Sequence, residues 1–252
     1  MKTTIVVLGG LWYSPRLYQE MSEYFRHAGL EVSVPDLTGK DLFDRVGAAY
    51  GAIRKLGEET RLVMVAHSFG AIVGHKLIEL HPELEERVTC FVGLGAVSPY
   101  GIERLVSARL ALTYPARLLR ELFGEMFSIP DFGAFQEEFG GTSPREFQCL
   151  VPEPARLLRS LMFRGLLGGA YYAPMASSRF SCPVHFFNGS YDQVVTQRSL
   201  DHWERHYNSH RFRVPDRADE RFCSVQGATH HSLIVNQYVF HTLWQVVGRH
   251  ML

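Results

Sequence analysis

The chain has 252 residues, 46% of them hydrophobic, with 26 basic residues against 26 acidic ones and a formal net charge of zero. That is enough chain to bury one large core or two modest ones. The balanced charge gives no footprint for nucleic acid and no basic run toward an anionic membrane, so a small-molecule partner is expected. Cys90, Cys149, Cys182 and Cys223 lie far apart, form no C-x-x-C pair and read as reduced core residues. The opening "MKTTIVVLGGLW" has too short an apolar run for a signal peptide, and no stretch approaches the roughly 20 apolar residues of a membrane span. A cytoplasmic protein without an integral membrane segment is expected. Asn188-Gly189-Ser190 matches a glycosylation triplet but closes an apolar strand.

In chain order, short apolar runs alternate with longer helical patterns. The first run, Ile5 to Leu8, ends at Gly9-Gly10 as a strand meeting a loop. A crossover helix follows: Ser14 is its candidate cap and Pro15 fits the first helical position. Leu17, Met21, Phe25 and Ala28 form one face, and Gly29 stops it. Val32 to Val34 is the next strand, and a second helix is expected from about Asp41 to Leu56, with Leu42, Val46, Ala49, Ile53 and Leu56 inward. Leu62 to Val65 and Phe91 to Leu94 are further strands. Runs that are apolar without alternation suit strands covered on both faces, as in a parallel sheet with helical crossovers.

The rhythm breaks after "FVGLGAVSPYG". From 101 to 178 the sequence reads as helical without strands, rich in Leu, Phe, Tyr and Arg and punctuated by Pro115, Pro130, Pro144, Pro152 and Pro154. An inserted helical subdomain is expected there rather than a linker, giving a core of 1–100 and 179–252 around an insertion of 101–178. Val184 to Phe187 and Phe222 to Val225 resume the strand-helix pattern, and no internal repeat is found.

The chemistry centres on "VAHSFG", where Ser68 stands between a strand and a helix. A serine there is commonly a cap or turn residue. The alternative is a nucleophile, which must stand clear of the backbone on a tight turn with small residues two before and two after it, here Ala66 and Gly70. Such a turn also aims the Phe69 amide, at the helix start, toward a developing oxyanion. A base and an orienting acid should follow in the order Ser, Asp, His, each after a later strand. "NGSYDQVV" places Asp192 after one run and "QGATHHSL" places His230 after the next. Alone, Asp192 reads as a turn residue and His230 as an exposed loop histidine; the three together at successive strand ends are much harder to dismiss.

With "VVLGGLW", "VAHSFG", "GSYDQVV" and "GATHHSL", the sequence resembles the α/β-hydrolase superfamily over essentially its whole length. The resemblance implies an α/β fold with a mostly parallel sheet of about six strands, the superfamily's first two being absent, and a helical cap at 101–178. It implies Ser68 as nucleophile, Asp192 as the acid that orients the imidazole, and His230 as general base, with His231 as its competitor. The superfamily's "HG" appears here as Gly9-Gly10, which suggests the Leu11 amide as second oxyanion donor beside Phe69. Trp12 is the alternative donor or a pocket wall, and Tyr191 a second pocket residue.

Serine at the elbow argues against the carboxylate nucleophile of epoxide hydrolases and haloalkane dehalogenases. The expected activity is acyl-bond cleavage, first of a carboxylic ester of a small apolar or aromatic substrate, without cofactor or metal. Thioester or carbon-carbon bond hydrolysis and a ligand-binding receptor are the alternatives. The rings Phe123, Phe127, Phe132, Phe135, Phe139, Phe163, Tyr171 and Tyr172 either form an apolar pocket or glue the insertion to the core. His202 and His206 have the i, i+4 spacing of a metal pair, but a solvated helix face is the expected reading.

Overall fold

The computed structural model describes residues 2–100, 113–116, 120, 123–162, 179–208 and 221–249. Strand β1 (Thr3–Leu8) leads through a short 3-10 turn, Pro15–Tyr18, into α1 (Gln19–His27), which returns the chain to β2 (Glu31–Ser33). Gly29, at φ 85, makes the reversal after α1 that a side chain would resist. Ser14 precedes the first turn without capping it; its Oγ donates instead to the Cys149 carbonyl at 2.6 Å, so a tertiary partner wins over the local one. Helix α2 (Leu42–Arg54) is capped by Asp41, whose carboxylate accepts the Phe43 and Asp44 amides, and it buries Leu42, Val46, Ala49 and Ile53.

Strand β3 (Arg61–His67), helix α3 (Gly70–Leu80) and strand β4 (Val88–Leu94) complete the first half of the sheet. Within 101–178 the described residues contribute β5 (Met126–Phe127), α4 (Phe132–Phe139), α5 (Pro144–Phe147), β6 (Glu153–Pro154) and α6 (Ala155–Met162). The expectation of an insertion without strands is corrected here: β5 and β6 pair antiparallel. Two-residue strands carry no periodicity in sequence, and this ribbon is held by contacts to a distant loop described below. Asp131 and a Ser143–Glu146 capping box start α4 and α5. Phe127, Phe135 and Phe139 are buried and Phe132 packs against the core, whereas Phe123 is exposed. Phe163, Tyr171, Tyr172 and both ends of the expected 101–178 insertion lie outside the described residues.

The chain closes with β7 (Val184–Gly189), α7 (Gln197–Asn208), β8 (Phe222–Val225), a 3-10 turn at Ser232–Ile234 and α8 (Gln237–Arg249). The six long strands form one sheet in the order β2-β1-β3-β4-β7-β8, every neighbouring pair parallel. Each of the six apolar runs contributes one of these strands, because helices cover both faces of the sheet and leave few polar positions. Parallel pairing also puts every strand's carboxyl end on the same edge. The strand order reverses between β1 and β3, the position at which open parallel sheets commonly bind ligands.

Helix α7 does not present a solvated histidine face. Trp203, His206 and Tyr207 are buried around His75 of α3, and the Trp203 Nε1 donates to the Val97 carbonyl. His75 Nδ1–H donates to the Ala71 carbonyl and its Nε2 accepts the Tyr207 hydroxyl, each at 2.7 Å. Burial pushes this imidazole down to about 3 and so keeps it neutral. His202 instead meets the Ser98 hydroxyl. Asn188 is buried and its amide nitrogen donates to the Val195 carbonyl, which leaves the glycosylation triplet's nitrogen inside the fold. Among the described residues no helix is long and apolar enough to cross a membrane.

Candidate active site

Ser68 is the residue that turns the chain from β3 into α3. Its φ of 54 lies in the left-handed region, which costs a non-glycine residue roughly 1–2 kcal/mol and persists only where the surroundings fix it. They do so on both sides of the residue. The Ser68 amide donates to the Leu94 carbonyl at 2.9 Å, and the Ser68 carbonyl accepts the Val97 and Ala71 amides at 3.1 and 3.2 Å. The small flanking residues are needed for this approach, since a Cβ on Gly70 would collide with the Leu8 carbonyl. The serine is 5% exposed, and a Cβ on Gly10 would lie 2.7 Å from its Cβ and 3.3 Å from its Oγ. The loop after β1 therefore runs against the side chain at the end of β3, at the point where the strand order reverses.

His230 follows β8 and Asp192 follows β7, and the sheet brings them into contact: His230 Nδ1–H donates to Asp192 Oδ2 at 2.7 Å. The other carboxylate oxygen accepts the Val194 and Val195 amides at 2.9 and 2.7 Å, which fixes the plane of the carboxylate. Gly95, after β4, makes room for the pair: at its φ of 49 a Cβ would stand 3.0 Å from His230 Nδ1 and 3.1 Å from Asp192 Oδ2. Ser68 sits one residue beyond His67, whose ring centroid lies 4.6 Å from that of His230.

Two further residues join this site, Tyr18 and His67, neither of them given a role by the motifs. The Tyr18 hydroxyl accepts the Gly10 amide at 2.9 Å and meets His67 Nδ1 at 2.9 Å, while His67 Nε2 reaches the His230 carbonyl at 3.3 Å. A carbonyl only accepts, so Nε2 carries the proton and Nδ1 accepts from Tyr18. Burial pushes the His67 imidazole well below its ordinary range and holds it in this neutral form. His67 thus ties the loop after β1 to the loop that carries His230. Its chain position beside a candidate nucleophile was the only available hint.

The remaining candidates separate. His231 is fully buried, its amide bonded to the Phe139 carbonyl, and its Nε2 lies 3.4 Å from the Glu146 carboxylate rather than against Asp192. Burial lowers its pKa against the opposing pull of Glu146. The Trp12 ring packs on Phe127 and Phe139, and its amide is taken by Glu153 at 2.7 Å. The Leu11 and Phe69 amides have no hydrogen-bond partner among the described residues. Tyr191 is 66% exposed, so its side chain stands at the surface although it adjoins Asp192. No group of three or more His, Cys, Asp or Glu side chains among the described residues is arranged to hold a metal ion.

No family model and no curated protein matches the chain. Solved structures do. A structure of the metagenome-derived lipolytic enzymes LipS and LipT is 17% identical, with a TM-score of 0.66 over 99% of this chain and 95% of that one. An extracellular α/β-hydrolase from a Paenibacillus species is 15% identical, with a TM-score of 0.67 over 97% and 98%. The epoxide hydrolase VrEH1 from Vigna radiata is 17% identical, with a TM-score of 0.60 over 99% and 92%. The parallel six-stranded sheet, its reversal of strand order between β1 and β3 and these full-length likenesses show that the chain has the α/β-hydrolase fold.

Proposed function

We propose that the protein is a serine hydrolase that cleaves acyl bonds, carboxylic esters first, through an acyl-enzyme on Ser68. The observation that carries this reading is the conjunction of a strained serine at the β3–α3 turn with a buried histidine held by a carboxylate at the same sheet edge. The neighbouring folds include lipolytic enzymes and an epoxide hydrolase, so fold alone does not choose the nucleophile. The side chain at the elbow does: a serine hydroxyl supports acyl transfer, whereas a carboxylate would be needed to open an epoxide.

In this mechanism His230 Nε2 takes the Ser68 proton as Oγ attacks the acyl carbonyl carbon, forming the tetrahedral oxyanion. The Leu11 and Phe69 amides stabilise that oxyanion, each such donor typically being worth roughly 10²–10³ in turnover. His230 then protonates the leaving alcohol, and water repeats the cycle on the acyl-enzyme. Asp192, fixed by the Val194 and Val195 amides, holds the proton on His230 Nδ1 and stabilises the imidazolium. Trp12 and Phe139, which pack on one another, supply apolar wall beside the His230 ring and support a small apolar or aromatic acyl group. Residues 101–178 act as the cap over this site, with the core formed by 1–100 and 179–252.

The test is turnover of p-nitrophenyl esters of graded acyl length, with acyl thioesters and a vinylogous diketone in parallel. Ester hydrolysis by the wild type and its loss in Ser68→Ala are expected. Thioester or diketone cleavage without ester cleavage would move the activity within the superfamily. Saturable binding of these compounds without turnover by any of them would make the protein a receptor.

A further inference from the structure

Among the described residues Trp12 is, beside Ser68, the other non-glycine residue with a left-handed backbone, at φ 65, and a bulky residue holds that conformation only where its surroundings over-determine it. Here they all belong to the insertion. The Trp12 amide donates to Glu153 Oε1 at 2.7 Å, its carbonyl accepts the Val151 amide at 2.8 Å, and its indole Nε1 donates to the Phe127 carbonyl at 3.3 Å. The β5–β6 ribbon, with Val151 just before it, therefore grips one residue of the loop after β1 by every polar group it has.

Glu153 is the unusual member of this set. Its second oxygen is bonded by the Arg45 guanidinium from α2, and the two side chains are 3% and 2% exposed. Burying such a pair is not an efficient route to stability, since apolar residues of similar volume commonly do as well or better. Its placement gives it another use. The peptide before Gly10 is held by the Tyr18 hydroxyl and the peptide before Trp12 by Glu153. The Leu11 amide lies between these two fixed peptides and has no partner of its own among the described residues. An isolated carboxylate so close to a developing oxyanion would oppose it; Arg45 neutralises that charge while leaving Oε1 in place as an acceptor.

We infer that Glu153 is a positioning residue for the oxyanion loop: braced by Arg45, it fixes the Trp12 peptide so that the adjacent Leu11 amide is aimed at the oxyanion on the Ser68 adduct. The insertion is then a structural part of the catalytic loop as well as a cover. This inference rests on the serine-hydrolase reading and extends it.

The decisive comparison is between two double variants that both remove the charge pair, Arg45→Met with Glu153→Gln and Arg45→Met with Glu153→Leu. The first keeps a carbonyl acceptor for the Trp12 amide and the second removes it. With ester substrates, kcat of the leucine variant is expected to fall about 10²-fold below that of the glutamine variant, the loss of one oriented oxyanion donor. KM should stay within about 3-fold, since no side chain of the acyl pocket is replaced and the Trp12 ring keeps its packing on Phe127 and Phe139. A loss in kcat without a loss in KM is a result that general loosening of the fold would not give. Equal kcat in the two folded variants would overturn the inference, and so would a loss confined to KM. If the leucine variant does not fold, Glu153→Asp in the wild-type background, which keeps the charge but shortens the reach, is expected to lower kcat about 10-fold with KM unchanged; an unchanged kcat there would equally overturn it. Absence of ester turnover and of fluorophosphonate labelling in the wild type would instead refute the serine-hydrolase reading, and this inference with it.

Discussion

Asp192→Asn is the substitution whose effect follows most directly from the geometry. Asp192 Oδ1 accepts two backbone amides, from Val194 and Val195, and Oδ2 faces His230 Nδ1. An asparagine at this position keeps its carbonyl oxygen on the two amides and so turns its NH₂ toward the imidazole. His230 must then accept at Nδ1 and carry its proton on Nε2, where it cannot take one from Ser68. Flipping the asparagine would restore the working tautomer, but it sets an NH₂ against two buried amide donors. At about 1 kcal/mol for each lost hydrogen bond, before any penalty for stranding the donors, the flip costs at least about 2 kcal/mol. Fewer than about one molecule in thirty would then present the productive face. The imidazolium also loses its counter-charge, and together these effects should lower kcat roughly 10³–10⁴-fold with KM little changed. Steady-state ester hydrolysis, with circular dichroism to confirm folding, measures this. A folded Asp192→Asn enzyme within 10-fold of wild type would refute the role given to the carboxylate.

Gly95→Ala should separate backbone strain from active-site damage. It places a methyl group 3.0 Å from His230 Nδ1 at a φ of 49, so a stability loss of about 1–2 kcal/mol and a drop in kcat of about 10²-fold are expected. Gly29→Ala, at a φ of 85 with nothing within 4 Å of its Cβ, should show a comparable stability loss in urea with unchanged activity. His75 sets an acid limit on stability. The fold keeps it neutral down to about 3 whereas the unfolded chain protonates it near 6.5, so its contribution is complete above that value and is lost as pH falls through the interval. Between pH 7 and pH 5 the loss is about 2 kcal/mol. Urea unfolding at the two pH values should show this part of the slope disappearing in His75→Gln; an unchanged slope would count against it.

Much of the architecture was legible because the physics that writes it is local. Both faces of the sheet are covered, so Ile5–Leu8 and Leu62–Val65 are uninterrupted apolar runs, Phe91–Leu94 and Val184–Phe187 are broken only by Gly93 and His185, and Asp41 marks the start of α2 with its own side chain. The motif residues were legible for a related reason: a parallel sheet brings the loops after β3, β7 and β8 to one edge whatever the crossovers contain. What was hidden depends on partners far apart in the chain. Glu153 meets Trp12 across 141 positions and Arg45 across 108, and neither carries a pattern until the fold joins them. Ser14 and His206 misled locally because the Cys149 carbonyl and the His75 cluster outbid a helix cap and a solvated face. Tyr18 belongs to no motif, yet its hydroxyl joins the Gly10 amide to His67.

The most direct test of the central claim is intact-protein mass spectrometry after treatment with a fluorophosphonate, followed by peptide mapping of wild type, Ser68→Ala, His230→Gln and His231→Gln. One adduct on Ser68 in the wild type, absent from Ser68→Ala, strongly slowed in His230→Gln and retained in His231→Gln, is the expected result. A well-folded wild type that takes no adduct, or an adduct that maps to another residue, would contradict the assignment of Ser68 as an activated nucleophile. Undiminished labelling of His230→Gln would remove His230 as its base.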